Sequence, residues 1–160
     1  MSNIPQAQQQ ETNEENSSEK KDFTEKFSDE RRSWSDVVIT IGKRFREVEN
    51  LAEVQVDLYS RRQEAIEYQY KLIGIHSKLK HMLSAQWKKA FDEAGRNEDL
   101  RYSDKDKSKV ADAATANIRY KVESVNSQIE FFRETVKSID TMTFGVKHRI
   151  EIENFKAGMK

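Results

Sequence analysis

Apolar side chains fall at Ile118, Val122, Val125, Ile129, Phe132, Val136 and Ile139, in alternating steps of four and three without an error. That alternation places them on one stripe of a helix and makes a heptad seam three repeats long, which predicts a long helix over 106–141. A second helical pattern covers 57–94. Ala65, Ile66, Leu72, Ile73, Leu79, Met82, Leu83, Trp87, Ala90 and Phe91 keep the spacing of one broad apolar face. Gly74 weakens that helix by ~1 kcal/mol against Ala, and Gly95 is a stop signal. Residues 96–105 read as a charged loop, with Ser103 or Asp104 placed to cap the next helix. Two long helices joined by a loop of about ten residues predict an antiparallel hairpin. Beyond it the pattern predicts a break over 140–145 and a short final helix over 146–157.

The remaining segments carry weaker patterns. In 34–56 the run Val37, Val38, Ile39, Thr40, Ile41 is β-branched and suits a short strand or an extended arm, while 44–53 looks more helical. Residues 1–33 read as a disordered, acidic, polar tail, dispensable for folding. Phe23 and Phe27, four apart, mark at most a short transient helix there. The expected organisation is this tail followed by one helical body, 34–160. The fold class is all-α: a long helical hairpin plus a short C-terminal helix.

Composition adds oligomerisation to this picture. Hydrophobic residues are 36% and charged residues 35% of the 160, sparse apolar content for a compact monomer. Burial against other subunits is therefore expected. One Pro and five Gly leave long stretches free to run as helix. The absence of Cys excludes disulfides, Cys-based zinc sites and thiol catalysis. No apolar run reaches the roughly 18 residues needed to span a bilayer, so no membrane association is expected, and the polar N-terminus is no signal peptide. The formal net charge of zero is unevenly spread: 1–33 hold eight acidic and five basic residues, leaving a mildly basic body.

Candidate chemistry is narrow. His76 and His81 are five apart and point to different sides of a helix, and with His148 they make no convergent ligand set. Carboxylate pairs such as Glu151 and Glu153 are expected of so charged a surface. Gly42 and Lys43 lack the upstream glycine of a phosphate loop. No constellation for catalysis, metal or cofactor is found, and the chain reads as a non-enzyme. The first long helix stands apart. Residues 57–89 carry Arg61, Arg62, Lys71, Lys78, Lys80, Lys88 and Lys89 against Asp57, Glu64 and Glu67, with Tyr59, Tyr68, Tyr70 and Trp87 interleaved. Cations neutralise phosphates and aromatic faces stack unpaired bases, which is what single-stranded DNA requires of a non-specific binder. Trp87 also shares the apolar face with Leu83 and Ala90, so it reads equally as a core residue.

The last residues, FGVKHRIEIENFKAGMK over 144–160, resemble the ending of the UvsY-type recombination mediators of T-even-like phages. Upstream, Leu58, Tyr59, Ser60, Arg61 and Arg62 are similar to that family's Leu-His-Ser-Lys-Tyr region, and Trp87 with Phe91 falls at its aromatic end of the basic helix. The likeness spans about 57–160. It departs at one place. The family sets basic residues just before an aromatic pair, where this chain has Ser84 and Gln86, with Lys88 and Lys89 following Trp87. The resemblance implies a mediator acting in the cytoplasm of the infected bacterial host. Such a mediator binds single-stranded DNA, the phage single-strand-binding protein and a RecA-like recombinase, and assembles as a hexamer or heptamer. It implies that Phe144, Val146, Ile150 and Phe155 lie at the subunit interface, although packing on the chain's own hairpin fits them nearly as well. The competing reading is a helical phage assembly or scaffold protein that makes no contact with DNA.

Overall fold

A computed structural model describes the backbone of residues 6–96 and 102–158, and their side chains from Glu25 onward except that of Val48. Three long helices account for nearly all of it: α1, Gln6–Arg44; α2, Leu51–Gly95; and α3, Asp104–Gly158. A single 3-10 turn, Val48–Asn50, precedes α2. Among the described residues there is no strand, so the all-α expectation holds. None of these helices is long and apolar enough to cross a membrane.

The chain divides into two compact units. The first takes α1 up to Phe27 together with Gly74–Asn126; the second takes Ser28–Ile73 and Ser127–Lys160. In the second unit α2 runs antiparallel to both neighbours. Arg62 meets Asp140 and Tyr68 meets Phe132 on α3, while Arg44 meets Asp57 and Glu30 meets Tyr68 between α1 and α2. Its core joins Ile41, Leu51, Val54, Leu58, Ile139 and Val146, with Val37, Val38, Phe45, Met142 and Ile150 packed against them. Phe132 is fully buried beside it, with the Trp34 ring edge-on at 5.3 Å and the Tyr68 ring at 4.8 Å. In the first unit α2 and α3 are again antiparallel: Trp87 meets Asp112, and Phe91 lies under Lys107.

Helix ends follow their local chemistry. Ser103 caps α3. Its Oγ accepts from the Asp106 N–H at 3.3 Å and donates to the Asp106 carboxylate at 2.6 Å, which holds that carboxyl below its usual range. Arg96 N–H closes α2 onto the Glu93 carbonyl directly after Gly95. At the end of α1, the carbonyls of Phe45 and Arg46 would be left over by the helix, and Arg149 of α3 donates to both, at 2.9 and 3.0 Å.

Two expectations need correction. The break over 140–145 does not occur, and the final helix is the last part of α3. The heptad spacing continues from Ile139 through Thr143 and Val146 to Ile150, all buried or half-buried. The Thr143 hydroxyl donates to the Ile139 carbonyl at 2.8 Å, so the polar member of the seam is satisfied within the helix. One glycine, Gly145, costs ~1 kcal/mol and is outweighed by that packing. The first helix, α1, begins at Gln6, and residues 1–5 lie outside the described residues. No Gly or Pro interrupts the chain between Gln6 and Ile41, and Gln, Glu and Lys are good helix formers. Phe27 is buried, and Glu30 and Arg31 are tied to α2 and α3. Lastly, the β-branched run at 37–41 is helix rather than strand. Val37, Val38 and Ile41 turn to the core and Ile39 to the outside.

Candidate nucleic-acid interface

The cations that the sequence singles out divide by how much they are already engaged. In the second unit, Arg61 donates to Glu64 and Arg62 to Asp140, each at 2.6 Å. Both would have to release a carboxylate to take a phosphate. Lys71, in the same unit, is exposed. In the first unit Lys78, Lys80 and Lys88 are exposed and form no ion pair among the described residues; Lys89 reaches Glu93 only at 3.8 Å. Lys88, Lys89 and Arg96 line a shallow hollow on α2 with Asp92 and Glu93. Exposed, unpaired ammonium groups are the ones that exchange counterions for phosphate most readily.

The aromatics divide in the same way. Tyr68 is spent on structure: its ring packs on Phe132 and its hydroxyl donates to Glu30 at 2.6 Å. Burial, then the Glu30 bond, pushes that phenol well above its usual range. Tyr59 is half-exposed under Lys147, and Tyr70 is exposed. The Tyr59 phenol is drawn below its ordinary value by the hydrogen bond from Gln55 and then by Lys147. Trp87 is half-buried. Its indole stacks on Phe91 with ring centres 5.2 Å apart and planes 18° apart, and its N–H donates to Asp112 at 3.0 Å. One edge of Trp87 thus belongs to the contact between α2 and α3, and part of the side chain stays exposed.

Sequence reasoning missed what α3 brings to this place. Arg119 donates to Asp112 at 2.7 Å, and Lys107 lies 5.8 Å from the centre of the Phe91 ring. The antiparallel pairing of the two helices contained the signal, because it sets 107–119 against the Trp87 end of α2. The basic count had been taken along α2 alone.

The four residues expected at a subunit interface are not brought together. Val146 is fully buried in the second unit and Ile150 packs against the same core. Val146 serves this chain's own packing, and Ile150 does so with part of its side chain. Phe144 and Phe155, in contrast, are 73% and 70% exposed. Phe144 stacks on His148 at 6.4 Å, and with Ile152 they continue an apolar stripe along the outside of α3.

Among the described residues no cluster of His, Asp and Glu could hold a metal ion. No curated protein and no solved structure matches the chain. A family model does, over residues 32–159, and it is described as the recombination, repair and ssDNA binding protein UvsY. The match begins within α1 and runs through the end of α3, four-fifths of the sequence, and it covers the basic stretch of α2 and nearly all of the C-terminal motif. By that extent, the chain belongs to the UvsY family of recombination, repair and single-stranded-DNA-binding proteins.

Proposed function

We propose that this protein is a recombination mediator that holds single-stranded DNA on α2 and promotes loading of a RecA-like recombinase in exchange for single-strand-binding protein. The observation that carries the DNA site is the set of exposed lysines of the first unit, Lys78, Lys80, Lys88 and Lys89, none held in a close ion pair among the described residues. Within the second unit, Arg61, Arg62 and Lys71 are also read as DNA contacts, the two arginines after exchanging Glu64 and Asp140 for phosphate. The family's description supports the DNA and recombination parts of this reading. No base-reading element is needed, because a mediator must hold any sequence. The protein hydrolyses nothing itself.

Assembly follows from the exposed stripe. Phe144 and Phe155 are large apolar groups left in water, and their burial between copies would stabilise a ring, hexameric or heptameric by family resemblance. A ring repeats a modest cationic surface once per subunit, which multiplies the hold on one DNA strand.

Oligo(dT) binding measured against salt tests the site. Lys88→Ala with Lys89→Ala is expected to weaken binding and to lower the salt slope by up to about two per engaged subunit. Unchanged affinity and slope would place the DNA elsewhere. Light scattering tests assembly in the same sample: Phe144→Ser with Phe155→Ser should lower the mass without lowering helicity, and an unchanged mass would remove this stripe from the interface.

A further inference from the structure

Trp87 is held in an unusual way for a partly open aromatic. One face is covered by Phe91, nearly parallel to it, and the N–H edge is fixed to the Asp112 carboxylate across the helix pair. Asp112 uses the same oxygen to accept from Arg119, 2.7 Å away. Cations border the group on both helices: Lys88 beside Trp87, Lys107 over Phe91 and Arg119 at Asp112. We propose that Asp112 is a positioning residue for single-stranded DNA: it orients the Trp87 indole as a base-stacking surface, and Arg119 offsets its charge. This rests on the reading that DNA binds along α2.

The geometry supports a preset platform in three ways. An indole whose plane is set by a parallel partner and whose edge is set by a hydrogen bond has lost its rotamer freedom before DNA arrives, so stacking a base costs less ordering. A bare carboxylate at that spot would repel phosphate. Here Arg119, and then the Trp87 N–H, hold the Asp112 carboxyl below its usual range, as a well-solvated but engaged anion. Finally, the surrounding cations belong to different helices. A strand following them would pass the aromatic pair rather than run beside it.

The test separates charge from orientation. Asp112→Asn and Asp112→Ala both remove the negative charge, but only Asn keeps an oxygen for the indole N–H. The full-length chain carrying Trp34→Phe leaves Trp87 as the one tryptophan. In that background oligo(dT) is expected to quench Trp87 fluorescence. Asp112→Asn should bind at least as tightly as the parent and keep the quenching. Asp112→Ala should bind about fivefold or more weakly than Asp112→Asn and lose part of the quenching. Equal affinity and equal quenching in the two variants would overturn the positioning role. If oligo(dT) leaves Trp87 fluorescence unchanged in the Asn variant, the stacking surface is overturned. The Lys88→Ala, Lys89→Ala salt series then tells which reading failed: a weakened, flattened response keeps DNA on α2 without Trp87, and an unchanged one removes both. Should the alanine variant lose its helical circular dichroism, Trp87→Phe makes the same comparison, since it keeps a ring without the N–H. Its binding should fall about fivefold, and binding at the parent level would overturn the proposal.

Discussion

The second unit closes over Phe132, Leu58, Ile139, Val54 and Val146, all fully buried, whereas among the described residues the first buries Phe27 and otherwise the smaller Ala94, Ala111, Thr115 and Val125. Large branched and aromatic side chains remove far more apolar area from water than Ala or Thr. The first unit makes up part of the difference with half-buried Trp87 and Phe91, whose polar and cationic neighbours lie at the surface. Charge is arranged in the opposite sense. In the second unit Arg44, Arg61, Arg62 and Arg149 are all committed to carboxylates or carbonyls. In the first, Lys78, Lys80 and Lys88 stay uncommitted among the described residues. Large-side-chain burial and most of the unpaired cations of α2 thus lie in different parts of that helix, Lys71 being the exposed exception in the second unit.

Removing Phe132 is the strongest way to break this comparison. Phe132→Ala leaves Trp34 and Tyr68 without their common partner and should cost about 3–5 kcal/mol in urea unfolding. Trp87→Ala should cost clearly less, since the indole is already half in water. Equal costs would mean that the two units are built alike. Arg149 comes next. Its fork spans the carbonyls of Phe45 and Arg46 while lying 5.5 Å from the Phe45 ring centre. Arg149→Ala should lose about 1–2 kcal/mol and speed amide exchange over 45–50. Arg149→Lys should not restore either, because one ammonium lacks the planar fork. Full rescue by Lys would reduce the contact to simple charge.

Tyr68 sharpens the comparison through pH. A raised phenol means that the folded chain keeps a proton that the unfolded chain releases near pH ~10. Tyr68 therefore contributes its full share of stability below about pH 10, and that share is lost as pH climbs through the higher folded value. Tyr68→Phe should lower stability by about 1 kcal/mol near neutrality, where Glu30 loses a donor, and should decline less steeply than the parent above about pH 10. Parallel curves through the alkaline range would show that the phenol is not protected by burial.

Much of the architecture was legible because periodicity is a packing signal. Of the seven seam residues from Ile118 to Ile139, four are buried, Val125, Ile129, Phe132 and Ile139, and the other three are half-buried, while Gly95 and Ser103 mark the ends around the loop. What escaped was wherever a polar residue occupies a seam position. Thr143 made the seam look broken after Ile139, though its hydroxyl is satisfied by the helix itself. Glu30 interrupts the run Phe27, Trp34, Val37 and Ile41, so the inward side of α1 is hard to read along the sequence. It sits among them with Tyr68 donating at 2.6 Å and Gln128 at 3.2 Å, while Arg31 donates to the buried Gln128 at 2.6 Å. A buried polar residue with distant partners cannot be told from a surface one until the partners are known. The interface suffered the same loss. The lysines of α2 can be read along one helix, but Lys107 meets Phe91 across 16 positions and Asp112 meets Trp87 across 25, contacts that only the paired helices bring about.

The smallest expected effect lies at the start of the first unit. Gly74 is helical and exposed, has no positive φ, and a Cβ built there would meet nothing within 4 Å. Gly42 and Gly145 differ: a Cβ there would touch Met142 and Phe45 at 3.5 and 3.6 Å, so packing would enter the result. At Gly74 only backbone entropy changes. The unfolded chain loses freedom with Ala while the folded chain gains no clash, and Gly74→Ala should stabilise by about 0.5–1 kcal/mol. If the first unit is limited by weaker burial on its α2–α3 side, where Ala94, Ala111 and Thr115 are buried, that gain should appear as slower amide exchange in α2 beyond residue 74. Oligo(dT) affinity should stay the same, because the added methyl touches no side chain. An unchanged exchange rate would mean that α2 in this unit already opens only with the whole chain, and the division of labour drawn from the two cores would not extend to their stabilities.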